Sequence, residues 1–292
     1  MSRTTSSRIA DAEARSIARA SRARPDARRR VGERTNGPAA RAGCYPRASV
    51  HDRVHIFGVY QIPWLKGQRL VRVYVPPDTG APPPVLYMFD GQNIFDDEAS
   101  HSGGWYLHHA ARDLCARGGV APLIVGIDHG GPYRMRELSP FRLRQRGQAP
   151  HLVRWMVDEL QPQIRSAFSV RHDLAGTAVG GSSLGGLAAL YAHWTRPEVF
   201  GAALCMSPSF WIAREKMLRF VSDRPNPPVS RLYLDAGGNE PRVRPSAERM
   251  VKLLRRRGYG PNDMMWVFEP GATHHESAWR RRAPAALEFL FS

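Results

Sequence analysis

The chain reads as a doubly wound α/β protein, with a mostly parallel sheet opened by an antiparallel hairpin. Three observations lead there. After residue 50, short apolar runs alternate with segments of helical period. The apolar runs are uninterrupted, as strands buried on both faces of a parallel sheet must be. One of them ends in "GGSSLGG", a glycine-rich turn that opens directly into an alanine- and leucine-rich helix former. With 292 residues and 42% hydrophobic content, the chain is long enough to bury one substantial core.

Residues 1–48 stand apart. They are rich in Arg, Ala and Ser and nearly lack large apolar side chains. Such a segment cannot bury enough surface to offset its ordering entropy, so a disordered tail is expected in front of one folded domain at 49–292. In that domain "VHIFGVY" (54–60) and "RLVRVYVPP" (69–77) alternate in polarity around a turn at Lys66-Gly67, which predicts the hairpin. Six more strands are expected at 83–90, 121–128, 175–182, 200–207, 230–238 and 263–271, each a short apolar run closed by glycine or a polar residue. Helical segments lie between and after them at 105–118, 151–168, 184–194, 246–258 and 276–291. The last carries Pro284, where a kink is expected. "SPSFWIAREK", between one strand and the next element, is too short for a large lid, so an open cleft is expected.

The net charge of +16 invites a nucleic-acid reading. Its distribution argues against one. Twelve arginines and four acids in residues 1–50 put +8 there, half the total, with no folded recognition motif beside them. A polyanion binder that uses the tail is nevertheless the rival from a different class, and its binding would be weak and salt-sensitive. The 3 lysines against 39 arginines suggest a GC-rich bacterial genome. No apolar run approaches the roughly 20 residues of a membrane-spanning helix, and no apolar secretory core follows the first methionine. Cys44, Cys115 and Cys205 are far apart and form no CxxC pair, so neither a zinc site nor a disulfide framework is suggested. A reducing, cytoplasmic setting is the expectation. Cys205, in "GAALCMSPS", reads as a small buried hydrophobe.

Reactive groups in such sheets gather at the carboxyl ends of the strands. There "GSSLG" (181–185) fits G-x-S-x-G with Ser183 at its centre, between a strand and a helix as that motif requires. Gly181 and Gly185 are needed because the chain closes on itself on either side of the nucleophile. The helix begins at once, so the Leu184 amide becomes one oxyanion donor. A hydroxyl needs a base, and α/β hydrolases supply it after the last strand, with the acid earlier in the chain. "EPGATHHESAW" offers His274, first after the strand, and His275, which points to the other side of an extended loop or begins the next helix. His274 is the better base. The acid should follow "RLYLDAGG", where Asp235 ends the strand and Glu240 lies beyond the glycines. Glu240 is favoured because a loop residue can reach the imidazole Nδ1. The second oxyanion donor is expected from "YMFDGQNIFDD", where Gly91 turns the chain back and Gln92 supplies its amide.

These pieces, in this order, resemble the putative esterase family of α/β hydrolases, which holds enterochelin-type trilactone esterases, feruloyl esterases, esterase D and the mycolyltransferases. The resemblance runs from about residue 54 to 291 through "LYMFDGQNIFDD", "GGWYLHHAARDL", "LIVGIDHGGPYRMRELSPF", "AVGGSSLGGLAALYA", "ALCMSPSFW", "YLDAGGNE" and "GATHHESAWRRRAPAALEFL". It implies the α/β-hydrolase fold and serine ester hydrolysis, with the nucleophile on Ser183, the histidine on His274, the acid on Glu240 and the oxyanion amides on Gln92 and Leu184. No metal or organic cofactor is implied. The chain departs from the family in its tail and at His275, where members more often carry Asn or Asp.

Substrate choice is harder to read. Trp105, Tyr106, Phe210 and Trp211 come from loops expected near the pocket and line an acyl or aryl site or belong to the core. Arg134 and Arg136 hold an anionic substrate, or Arg136 pairs with Glu137 or another acid. The expected partner is a small soluble ester, with no specific nucleic acid and no membrane span. An acyltransferase would use the same residues, and a scaffold without catalysis is the remaining alternative.

Overall fold

A computed structural model describes residues 51–100, 102–213 and 216–292. The expected tail at 1–48, with Cys44, lies outside the described residues. The strands are β1 Arg53–Gln61, β2 Gln68–Val75, β3 Val85–Phe89, β4 Leu123–Ile127, β5 Thr177–Ser182, β6 Ala202–Met206, β7 Arg231–Gly237 and β8 Met264–Glu269. They form one sheet in the order β1-β2-β4-β3-β5-β6-β7-β8. β2 runs antiparallel to β1 and β4, and every other neighbouring pair is parallel. The hairpin and the mostly parallel sheet are therefore those the sequence predicts.

Burial on both faces explains the uninterrupted apolar strands. Along β3, Leu86 and Met88 point into one core while Tyr87 and Phe89 point into the other, as the period of two demands. The first core is closed by helices α1 (Leu107–Ala116) and α7 (Glu276–Phe291), whose Leu107, Leu114, Leu287 and Leu290 pack on it. The second is closed by α2 (Ala149–Trp155), α3 (Gln161–Ala167), α4 (Leu184–Thr195) and α6 (Val243–Arg256), through Leu152, Ile164, Leu187 and Met250. Cys205 is fully buried among these side chains, and burial pushes its thiol well above the usual range. Among the described residues no helix is long and apolar enough to cross a membrane.

The helices depart from the expected elements in two places. The segment predicted as one helix at 151–168 is interrupted by a π turn, Met156–Leu160, between α2 and α3. Pro162 has no N–H to give the carbonyl four residues back, so the ladder slips by one residue there. A one-turn helix at Arg134–Glu137 lies where a loop was expected, and the short α5, Lys216–Ser222, is the helix that follows "SPSFWIAREK". α7 runs through Pro284 as one helix.

Candidate active site

The carboxyl ends of β3, β5, β6, β7 and β8 bring the loops of interest to one end of the sheet. β5 ends at Ser182, and Ser183 follows at φ 56°, ψ −118°, a conformation a residue with a side chain rarely adopts. Both of its backbone groups are tied to the loop after β6. Its N–H donates to Met206 O and its carbonyl accepts from Ser209 N, both at 2.9 Å. The flanks leave no room for side chains, since a Cβ on Gly181 would lie 2.7 Å from the carbonyl carbon of Gly185. Ser183 Oγ is 3.2 Å from Ser209 Oγ. α4 starts at Leu184, so that residue's amide has no carbonyl a turn earlier to bind.

The loop after β3 carries a second strained residue. Asp90 sits at φ 60°, ψ 47°, is buried, and receives a two-pronged bond from Arg134, Nε to Oδ1 and Nη2 to Oδ2, each 2.7 Å. This pair anchors the turn Gly91–Asn93. Gly91 presses on β4, where a Cβ would lie 2.5 Å from the carbonyl carbon of Gly126. Gln92 Oε1 accepts from His129 N at 3.3 Å, which ties the side chain to the loop after β4. Among the described residues, neither the Gln92 nor the Leu184 amide donates to a protein acceptor.

Glu240 and His274 meet across the loops that follow β7 and β8, with Nδ1 to Oε1 at 2.7 Å. The histidine is partly exposed and stands edge-on to the Trp279 ring, 5.1 Å between centroids at 88°. Glu240 is buried. Burial alone would raise its carboxyl, but hydrogen bonds from His274, the Gly237 amide and Ser207 outweigh it and hold the group below the usual carboxylate value. Asp235, the other candidate acid, faces inward. It accepts from Ser207 N at 2.6 Å and pairs with Arg282 at 2.8 Å. Burial pushes it up to about 6 despite Arg282. His275 caps α7, accepting from Ser277 N at 3.2 Å.

The tentative substrate residues divide. Trp105 is a core residue, 2% exposed and packed on Trp279 at 5.5 Å, because the turn before α1 tucks the indole under α7. Phe210 is likewise buried. Trp211, 36% exposed, stands on the loop after β6 with the Arg242 guanidinium 5.3 Å from its ring centre. Arg136 does not pair with Glu137, since successive helical residues point about 100° apart. It donates to Arg146 O at 3.2 Å, and Glu137 is taken by the fully buried Arg69. Arg134 is the arginine of that loop that reaches the strand ends. Sequence reasoning missed Asp90 with Arg134, and also Ser209 and Ser207. Only "SPS" (207–209) carried any signal, and a serine in a loop is too common to read.

An open, proline-lined cleft between His51, Pro76, Pro83, Cys115 and Phe168 lies at the opposite, amino end of the strands, away from these groups. Among the described residues no three His, Cys, Asp or Glu side chains converge as a metal site would.

The family model described as "Putative esterase" matches residues 63–290. The YbbA protein of Bacillus subtilis (strain 168) is 24% identical over 77% of this chain and 93% of its own length. The iron(III) salmochelin esterase of Escherichia coli O6:H1 is 31% identical over 52% of this chain. That match spans only 34% of the relative's length. Among solved structures, the enterobactin esterase FES from Shigella flexneri superposes with a TM-score of 0.68 at 22% identity, covering 82% of this chain and 58% of that one.

Proposed function

The chain belongs to the putative esterase family and has the α/β-hydrolase fold, and on that premise we propose that it hydrolyses a carboxylic ester through Ser183, His274 and Glu240. The observation that carries this reading is the 2.7 Å bond between Glu240 and His274, which joins the loops after β7 and β8 at the end of the sheet where the strained Ser183 follows β5. With Glu240 accepting from Nδ1–H, the other ring nitrogen is free to take the Ser183 proton. Ser183 leaves Ser209, attacks the ester carbonyl, and His274 returns the proton to the departing alcohol. The Leu184 and Gln92 amides hold the oxyanion, and each such donor is worth roughly 10²- to 10³-fold in turnover. Water then repeats the sequence on the acyl-enzyme and frees the acid.

The substrate class we infer is a soluble aryl, siderophore-lactone or sugar ester. The salmochelin and enterobactin esterases among the relatives support the siderophore choice. Trp211 with Arg242 offers a flat cationic rim for an aromatic acyl or alcohol part. Catalysis is assigned to residues 49–292, so a protein lacking residues 1–48 keeps its turnover.

The test is hydrolysis of short p-nitrophenyl esters by the wild type and Ser183→Ala, with a fluorophosphonate probe located by peptide mass spectrometry. Label on Ser183 and loss of turnover in the variant are expected. A folded wild type with neither label nor turnover would overturn the proposal in favour of a scaffold or a polyanion binder.

A further inference from the structure

Ser207 occupies a centre of buried polar contacts that the hydrolytic scheme does not use. It follows β6 at φ 40°, in the left-handed region, and is fully buried. Its hydroxyl is surrounded by Trp279 Nε1 at 3.0 Å, Arg282 Nη2 at 3.2 Å, Glu240 Oε2 at 3.0 Å and Asp235 Oδ1 at 3.5 Å.

The donors and acceptors can be assigned by counting. A serine hydroxyl has one proton to give and two lone pairs to receive. Indole and guanidinium only donate, so Trp279 and Arg282 fill both lone pairs. The hydroxyl proton must therefore go to a carboxylate. At 3.0 Å Glu240 is within O–H···O range, whereas Asp235 at 3.5 Å is beyond it. Glu240 Oε2 then receives two protons, from Ser207 and from the Gly237 amide, and has no call to carry its own. Oε1 is left as a pure acceptor for His274 Nδ1.

We propose that Ser207 is a positioning residue that fixes the tautomer of His274. The proton order runs one way, from Trp279 and Arg282 through Ser207 to Glu240 and so to an Nδ1–H imidazole, because its first two members cannot accept. Arg282 is kept in place by Asp235 at 2.8 Å and Glu269 at 3.0 Å, and Trp279 also backs the His274 ring. The inference rests on the ester-hydrolase reading, with His274 as base.

Ser207→Gly is the apt variant, since glycine suits the positive φ and only the hydroxymethyl group is lost. kcat for a p-nitrophenyl ester should fall roughly 10- to 100-fold, with KM within about twofold. Ring-nitrogen NMR at about pH 8 should show His274 as the Nδ1–H tautomer in the wild type and a mixture of tautomers in the variant. Ser207→Cys, which keeps a weak donor, should recover part of kcat. Wild-type kcat in Ser207→Gly, or a wild-type His274 that is mainly Nε2–H, overturns the proposal; the second measurement needs no variant to fold. If Ser183→Ala is inactive while Ser207→Gly is unimpaired, only the role of Ser207 falls. If Ser183→Ala retains turnover, the hydrolase reading itself has failed.

Discussion

Asp235 and Glu240 follow one another at the end of β7, yet the same carboxylate is put to opposite uses. Asp235 is wholly enclosed, faces Arg282, and is pushed up to about 6 by burial. Glu240 is nearly as buried but reaches the partly exposed His274, and three donors pull it below the usual value. An opposite charge alone therefore does not bring a carboxylate to a histidine. What separates the two is the glycine pair Gly237-Gly238, which ends the strand, supplies the amide that Glu240 binds, and lets the chain swing out to the histidine. Asp235 is left inside to hold the arginine on which the Ser207 contacts depend.

The widest gap between the two should appear in turnover. Glu240→Gln keeps the shape but loses the charge and the forced tautomer, and kcat should fall roughly 10³- to 10⁴-fold with little change in Tm. An equal loss in Asp235→Asn would break the contrast. That second variant is expected instead to keep most of its turnover and of its stability in urea unfolding, because the amide keeps the shape of the neutral carboxyl that burial favours and Glu269 still faces Arg282. The pH dependence of stability should separate them further. Asp235 is raised by burial from its ordinary value of 3.8 to about 6, so its contribution to stability is complete below about pH 4 and is lost as pH rises through 6. Glu240 is held below its ordinary value of 4.5, so its contribution is present above that value and is lost on acidification. Urea midpoints against pH should therefore lose their decline toward 6 in Asp235→Asn and part of their acid loss in Glu240→Gln. The smallest effect belongs to the histidine pair. His275→Ala removes a helix cap, should cost about 1 kcal/mol, and should leave turnover unchanged, unlike any change at His274.

Much of this was legible beforehand, for definite reasons. Strands buried on both faces have to be apolar throughout, so the central strands β3 to β7 announced themselves, and the alternation of β1 and β2 marked the hairpin at the edge. The serine turn was legible because its geometry admits only glycine at 181, and the Glu240–His274 contact was legible because the two residues lie three and five positions past the ends of neighbouring strands. Contacts made at long range were not. Arg134 with Asp90 and Arg69 with Glu137 join residues 44 and 68 positions apart, and nothing local marks which arginine meets which acid. Trp105 could not be assigned to pocket or core until α7 was seen lying over it. The π turn was within reach, since Pro162 stands in the middle of the predicted helix, but periodicity alone conceals a slip of one residue.

The backbone of Ser183 has one more consequence, for how such a protein drifts under mutation. A side chain held at φ 56°, ψ −118° costs on the order of 1–3 kcal/mol that glycine would not. The fold would be more comfortable without the proposed nucleophile. Ser183→Gly should raise the unfolding free energy while abolishing chemistry, so selection for stability alone would push this position toward silence. On the proposed reading, only continued use holds a serine there.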